Sequence, residues 1–314
     1  MMRVLHEISG LASINGPLVL AIGVFDGLHL GHRAVLESAR AAAAEIAGEA
    51  VVVTFDPHPA KILRPESAPR LLTSTTHKLR LMQELGVRNV LMLAFDAAFA
   101  AREATDFVSD LVQASRPLAR ICVGEGWKFG HSRAGDGSLL RRLGTVAGFA
   151  TTEVTPVRVG DQLVSSTAIR HAVEAGDFET ARLFLGREYS VLGTVTKGEG
   201  IGRQLGFPTA NLAAHNEQFP PDGVYAVRAR LGAREFDAVA NIGTRPTVHA
   251  AAERLLEVHL LGDPGDIYGE DLEVVFTTFL RPEKKFPSLD ALRDQIAADI
   301  VQARQSSLNA RIRA

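Results

Sequence analysis

Residues 18–24 form an unbroken apolar run, the pattern of a strand buried on both faces. An alanine-rich stretch with helical spacing follows over 31–47, and the alternation then repeats. Residues 51–55 read as a strand, 75–85 as a helix, 89–95 as a strand, 105–114 as a helix and 121–123 as a strand. Strands and helices taking turns in this way predict an α/β fold built on a parallel sheet. The pattern breaks over 124–137, a glycine-rich loop that carries Trp127, Lys128, Phe129, His131 and Arg133. Two short helices are predicted over 167–175 and 178–185.

From Tyr189 the period changes. Short alternating segments at 190–196, 224–231, 235–241, 255–261 and 272–279 are separated by Gly, Pro and Asp, which predicts a small antiparallel barrel or sandwich. A closing helix over 289–304 has apolar residues at helical spacing and Ser288 as its N-cap. The change of period places a domain boundary at 186–189, giving domains of 1–186 and 187–314. No internal repeat or low-complexity linker interrupts them.

A chain of 314 residues fits two domains of ordinary size, each able to bury its own core. The formal charge of −2 argues against bulk electrostatic binding to nucleic acid or anionic lipid. Of the 34 basic residues 28 are Arg, which together with the many alanines reads mainly as genome composition. Cys122 is the only cysteine, so neither an internal disulfide nor a cysteine zinc cluster is available, and its apolar neighbours predict a buried structural thiol. The first residues do not resemble a signal peptide, and the apolar run near them is too short to span a bilayer. These features predict a soluble, cytoplasmic protein.

Candidate chemistry begins where the first buried strand meets its helix, in Gly23-Val24-Phe25-Asp26-Gly27-Leu28-His29-Leu30-Gly31-His32. Ligands of open α/β sheets bind at the carboxyl ends of strands, and a helix start offers unpaired N–H groups to an anion. His29 and His32 can point toward the same anion; were the reaction a nucleotidyl transfer, they would hydrogen-bond the α- and β-phosphates as charge builds on the leaving pyrophosphate. The bland alternatives are an incidental surface pair or the beginning of a zinc site with His58 as a third ligand. A second anion cradle is suggested by Ser165-Ser166-Thr167 with Arg170 one turn later, although Ser and Thr there are also ordinary caps.

In the second domain, residues 198–211 are dense in glycine and end in Pro208-Thr209-Ala210-Asn211. This is no P-loop, because the Lys-Ser/Thr ending is missing. The glycines could free backbone amides for an anion nest, and Thr209 and Asn211 alternate along an extended segment with oxygen atoms that suit Mg²⁺. From these residues alone, a glycine-rich β-turn with no ligand is the favoured reading. Glu257 interrupts an apolar strand and shares a face with Leu255 and His259. Taken alone, it is either a catalytic base or half of an ion pair with Arg245 or Arg281.

The residues 25–32 and 165–170, with Thr54-Phe55-Asp56-Pro57-His58-Pro59 and Phe129-Gly130-x-x-Arg133-x-Gly135, resemble the HxGH nucleotidyltransferase superfamily. More closely, they resemble the bacterial bifunctional riboflavin kinase/FMN adenylyltransferases, or FAD synthetases. The kinase half of that pattern follows in order: 208–211, Gly223-Val224-Tyr225, 241–247, 257–260, Tyr268-Gly269, 280–283 and Phe286. The similarity runs from about residue 23 to 299. It implies a Rossmann-like nucleotidyltransferase domain followed by a β-barrel kinase domain with a C-terminal helix. It also implies that riboflavin is phosphorylated by ATP to FMN, and that FMN then attacks the ATP α-phosphorus to give FAD and pyrophosphate.

Carried over residue by residue, the resemblance makes His29 and His32 catalytic in the adenylyltransferase. Gly23, Phe25, Asp26, Gly31, Phe55, His58, Arg133, Ser166, Thr167 and Arg170 would bind nucleotide or flavin there. In the kinase, Glu257 would orient or deprotonate the ribityl hydroxyl and Thr209 and Asn211 would hold Mg²⁺–ATP. Gly202, Arg203, Gly206, Pro208, Asn241 and Arg281 would bind its substrates. The chain departs from the family at Gly126-Trp127, where Asp or Asn precedes Phe, at Ala168, usually Arg, and at Gly262, often Asp. The alternative reading is therefore a riboflavin kinase whose adenylyltransferase domain is weak or inactive. A non-enzymatic flavin sensor would have no need of Glu257, and a tRNA-handling relative would show a basic arm. The expected partners are ATP, riboflavin and FMN, with no nucleic acid, no membrane and at most a weak homo-oligomer.

Overall fold

A computed structural model describes residues 2–198, 202, 205–215, 218–245 and 253–313. The chain divides into two compact units, one of residues 1–69 and 75–166, the other of 70–74 and 167–314.

The first unit is a six-stranded parallel sheet. Its strands are β1 (Arg3–Leu5), β2 (Leu18–Ile22), β3 (Glu49–Asp56), β4 (Asn89–Ala94), β5 (Leu118–Gly124) and β6 (Ala150–Val154). Their order across the sheet is β1-β4-β3-β2-β5-β6, with every neighbouring pair parallel. The helices are α1 (Leu30–Glu45), α2 (Pro59–Leu63), α3 (Thr75–Glu84), α4 (Ala97–Ala100), α5 (Ala104–Ser115) and α6 (Gly137–Ala147). A short hairpin, β7 (Arg158–Val159) and β8 (Gln162–Leu163), follows.

All five residues of β2 are buried, and they alternate between two cores. Leu18, Leu20 and Ile22 join a cluster with Val51, Val53 and Leu91, whereas Val19 and Ala21 join one with Val52, Val90 and Met92. The unbroken apolar run therefore reflects a strand covered on both faces. Cys122 belongs to the second cluster, accepts a hydrogen bond from Ser38 and has its thiol pKa pushed up by burial. From β2 the chain winds outward through β3 and β4, then returns to β5 on the other side of β2. That reversal opens a crevice between the carboxyl ends of β2 and β5, where ligands of such sheets bind.

The second unit starts with two helices, α7 (Ser166–Glu174), whose first residue belongs to the first unit, and α8 (Phe178–Leu185). It continues through β9 (Ser190–Thr196), β10 (Ala210–Ala214), β11 (Gly223–Leu231), β12 (Arg234–Arg245), β13 (Glu253–Leu260) and β14 (Asp271–Arg281), and ends in α9 (Leu289–Arg313). The six strands close into an antiparallel barrel in the order β10-β13-β12-β11-β14-β9, with β9 pairing back to β10. Of the barrel and the sandwich, the chain forms the barrel. Phe178 of α8 stacks on Phe276 at 5.7 Å and meets the edge of Tyr225, so α8 is packed against the barrel. Ala303 and Ile300 of α9 pack against Val224, Ala226 and Val239.

Candidate functional site

In the first unit the turn after β2 is bent by positive φ angles at Phe25 (54°), Gly27 (82°) and Leu28 (43°). For the two non-glycine residues this costs about 1–2 kcal/mol each, so surrounding contacts must hold the turn. The Gly23 N–H bonds to the Val53 carbonyl at 3.1 Å, and Phe25 and Leu28 are buried. The Asp26 carbonyl accepts the Ser166 hydroxyl at 2.9 Å. The turn delivers His29 to the N-cap of α1, where its Nδ1 accepts the His32 backbone N–H at 3.3 Å.

The two imidazoles stack with centroids 3.6 Å apart, and the edge of Phe25 meets His32 at 5.3 Å. A Cβ on Gly31 would come within 3.2 Å of the His29 ring, so a bare residue lets the histidines stack. Because His29 Nδ1 accepts that N–H, the ring proton belongs on Nε2. Burial, then the neighbouring His29 and Lys78, hold His32 well below the usual imidazole range, so it stays neutral near pH 7.

Lys78 was not among the residues the sequence singled out, and it is the main addition here. Lys78 is only 5% exposed, and its ammonium donates to the Val24 carbonyl (3.2 Å), Thr54 Oγ1 (3.2 Å) and the Phe55 carbonyl (3.4 Å). Burial lowers its pKa to about 8, against the opposing pull of Asp26 and Asp56. Such a shift corresponds to roughly 3 kcal/mol against the charged form. The signal available in the sequence was a lysine on the same helical face as Leu81 and Met82, both buried.

Other expected residues of this unit are placed differently. His58 caps α2, accepting the Ala60 N–H at 3.1 Å, and among the described residues no group of three or more His, Cys, Asp or Glu forms a metal cluster. Phe55 is buried against Phe95 and Phe99, with its carbonyl facing Lys78. Arg133 is exposed at φ 60° in the loop after β5, where Trp127 stacks on Phe129 at 4.6 Å. Thr167 and Arg170 fall in the second unit, and Arg170 Nε donates to the Arg70 carbonyl.

In the barrel, strand register does what sequence spacing cannot. Asn211 of β10 lies opposite Glu257 of β13, and Glu257 lies opposite Asn241 of β12. The three side chains form one row lining a cavity of about 510 Å³, which Thr209, Gly202, His259 and Arg281 also line. That volume suits a small-molecule ligand. His259 Nδ1 donates to the Pro208 carbonyl at 2.8 Å, fixing the segment that leads into β10. Gly206 takes φ 88° in the preceding turn, and Arg203 lies outside the described residues.

The Thr209–Asn211 segment fits a hard divalent cation. Both residues offer oxygen donors beside a carboxylate, and two glycines keep the space around them open. A Cβ on Gly198 would lie 2.0 Å from the Asn211 amide, and one on Gly202 would lie 3.2 Å from Thr209 Oγ1.

Arg281 is not the partner of Glu257. It forks onto Asp299 of α9, with Nε at 3.0 Å and Nη2 at 2.8 Å, beneath the ring of Phe286. Asp299 is 2% exposed and also accepts Gln295 at 2.8 Å, so this pair ties α9 to β14 beside the cavity. The side chain of Arg245 lies outside the described residues. Glu283, within the motif 280–283 but not singled out, accepts the Asn241 amide at 3.1 Å.

A sheet whose switch point carries paired histidines, joined to a closed barrel with a carboxylate-lined cavity, defines a two-unit phosphate-transferring enzyme. The FAD synthetase family matches residues 11–168 and the riboflavin kinase family matches residues 185–307. The bifunctional riboflavin kinase/FMN adenylyltransferase of Escherichia coli K12 is 40% identical over 288 residues, 91% of this chain and 92% of its own. That of Pseudomonas fluorescens is 37% identical over 303 residues, 96% of this chain and 97% of its own. A crystal structure described as a macrolide-efflux protein from Streptococcus pneumoniae shares 28% identity and covers 96% of this chain and 98% of its own, at TM-score 0.81. The chain belongs to the bifunctional riboflavin kinase/FMN adenylyltransferase family.

Proposed function

We propose that residues 187–314 phosphorylate riboflavin to FMN and that residues 1–186 adenylylate FMN to FAD, each step using ATP. The observation that carries this reading is the row Asn211–Glu257–Asn241 along one cavity, in a chain that also stacks His29 on His32 at a sheet switch point.

In the kinase, Glu257 accepts or orients the proton of the ribityl 5′-hydroxyl as that oxygen attacks the γ-phosphorus, the bond to the β,γ-bridging oxygen breaks and ADP leaves. Thr209 and Asn211 would hold Mg²⁺, which neutralises phosphate charge when bound. Most of the rate then comes from positioning and electrostatics rather than from covalent chemistry. In the adenylyltransferase, the FMN phosphate attacks the α-phosphorus in line and pyrophosphate leaves. His29 and the neutral imidazole of His32 donate N–H groups to phosphate oxygens, beside the positive end of α1. Ser166 supports the turn through the Asp26 carbonyl.

A shared dependence on ATP supports a cytoplasmic location. Among the described residues no helix is long and apolar enough to cross a membrane. Incubation with riboflavin, ATP and Mg²⁺, followed by chromatographic separation of flavins, is expected to yield both FMN and FAD. Absence of both would end this reading, and FMN without FAD would favour the kinase-only alternative.

A further inference from the structure

We propose that Lys78 is a positioning residue for adenylyl transfer, its ammonium tying the histidine turn to the carboxyl end of β3. The proposal rests on the adenylyltransferase reading above.

Four observations converge on it. The Val24 carbonyl, the last polar group before the strained turn, receives both Lys78 Nζ at 3.2 Å and Thr54 Oγ1 at 3.0 Å. The same ammonium reaches Thr54 Oγ1 and the Phe55 carbonyl, so one cation joins the exit of β2 to the end of β3. Its helix is itself tied to β3, because Thr75 at the start of α3 donates to Asp56 at 2.7 Å. Finally, Lys78 is buried on the face of α3 that also carries the buried Leu81 and Met82, where an apolar side chain would pack without desolvating a charge. A buried ammonium kept at a ligand-binding strand end is a mark of function.

The charged groups facing it are Asp26 from the turn, Asp56 from the end of β3, and His32 from α1 with His29 stacked on it. The carboxylates favour the ammonium and burial opposes it. As pH rises through the lysine's range, the cation is lost, its hold on the two carbonyls weakens and the histidine turn is released. Adenylyl transfer should therefore have an alkaline limb that riboflavin phosphorylation on the same chain does not share.

The experiment measures kcat/KM for FAD formation from FMN and for FMN formation from riboflavin, on the full-length wild-type chain, from about pH 6.5 to about pH 9.5. FAD formation is expected to fall through an apparent pKa near 8 while FMN formation does not follow it. Lys78→Met should lower FAD formation at pH 7 by at least about tenfold, mainly in kcat, lack the limb and leave FMN formation unchanged. An FAD profile without the limb, or a Lys78→Met protein with wild-type kcat/KM, would overturn the proposal. Should the variant's first unit fail to fold, the wild-type profile decides alone. No FAD at any pH would overturn the adenylyltransferase reading and this proposal with it, whereas FAD formed without the limb overturns only the proposal.

Discussion

Replacing Gly198 by Ala tests how tightly the kinase cavity is built. The added Cβ would sit 2.0 Å from Asn211 Nδ2, whereas ordinary contact begins near 3.4 Å. The amide must therefore retreat by about 1.4 Å, and a misplacement of about 1 Å at a reacting site can cost about a hundredfold in rate. The atom that yields is the end of a side chain, not backbone, and Gly198 does not occupy the left-handed region. The fold should tolerate the change, and Ala stabilises by about 0.4–1 kcal/mol through the unfolded state where its conformation is allowed. The expected signature is an unchanged or slightly raised Tm, FMN formation reduced about tenfold to a hundredfold, and FAD formation from supplied FMN at the wild-type rate. The assay is a flavin separation after incubation with each substrate in turn, beside thermal unfolding. Wild-type FMN formation by Gly198→Ala would refute the argument that Asn211 must stand where the row in the cavity places it.

His29→Ala removes the cap of α1 and one imidazole of the stacked pair, and should depress FAD formation by at least about a hundredfold while sparing FMN formation; steady-state kinetics on the two substrates check it. Asp299→Ala leaves the Arg281 guanidinium without its buried partner, with an expected loss of about 3–5 kcal/mol in the second unit, read by urea unfolding. A loss under about 1 kcal/mol would mean that the pair does not anchor α9.

How much of this was legible depended on how local each feature is. The run 18–24 and the helix after it declared a doubly covered strand and its crossover, because burial on both faces leaves a continuous apolar signature. The pair His29 and His32 and the alternation of Thr209 and Asn211 were visible for the same reason, being set by spacing along one segment. Only the start of strand β10 was read as extended, because Ala210–Ala214 has little β-forming character of its own and exists as a strand by pairing with β9 and β13. Helix α6 was hidden behind the glycine-rich loop, although Asp136, whose side chain accepts the Leu139 N–H at 2.9 Å, is an N-cap that could have announced it. The row through Glu257 depends on the register of three strands, and the fork from Arg281 to Asp299 crosses from strand to helix. Neither is written in any one stretch of sequence. Lys78 was overlooked because a lysine in a helical pattern ordinarily reads as a solvated position.

The central claim is that one chain carries two separable active units. It is tested most directly by Glu257→Gln assayed with ATP and Mg²⁺, once with riboflavin and once with FMN. With riboflavin the variant should form almost no FMN or FAD, because the hydroxyl has lost its carboxylate. With FMN it should form FAD at the wild-type rate. Loss of FAD formation from FMN in a folded variant, or undiminished FMN formation from riboflavin, would contradict the account.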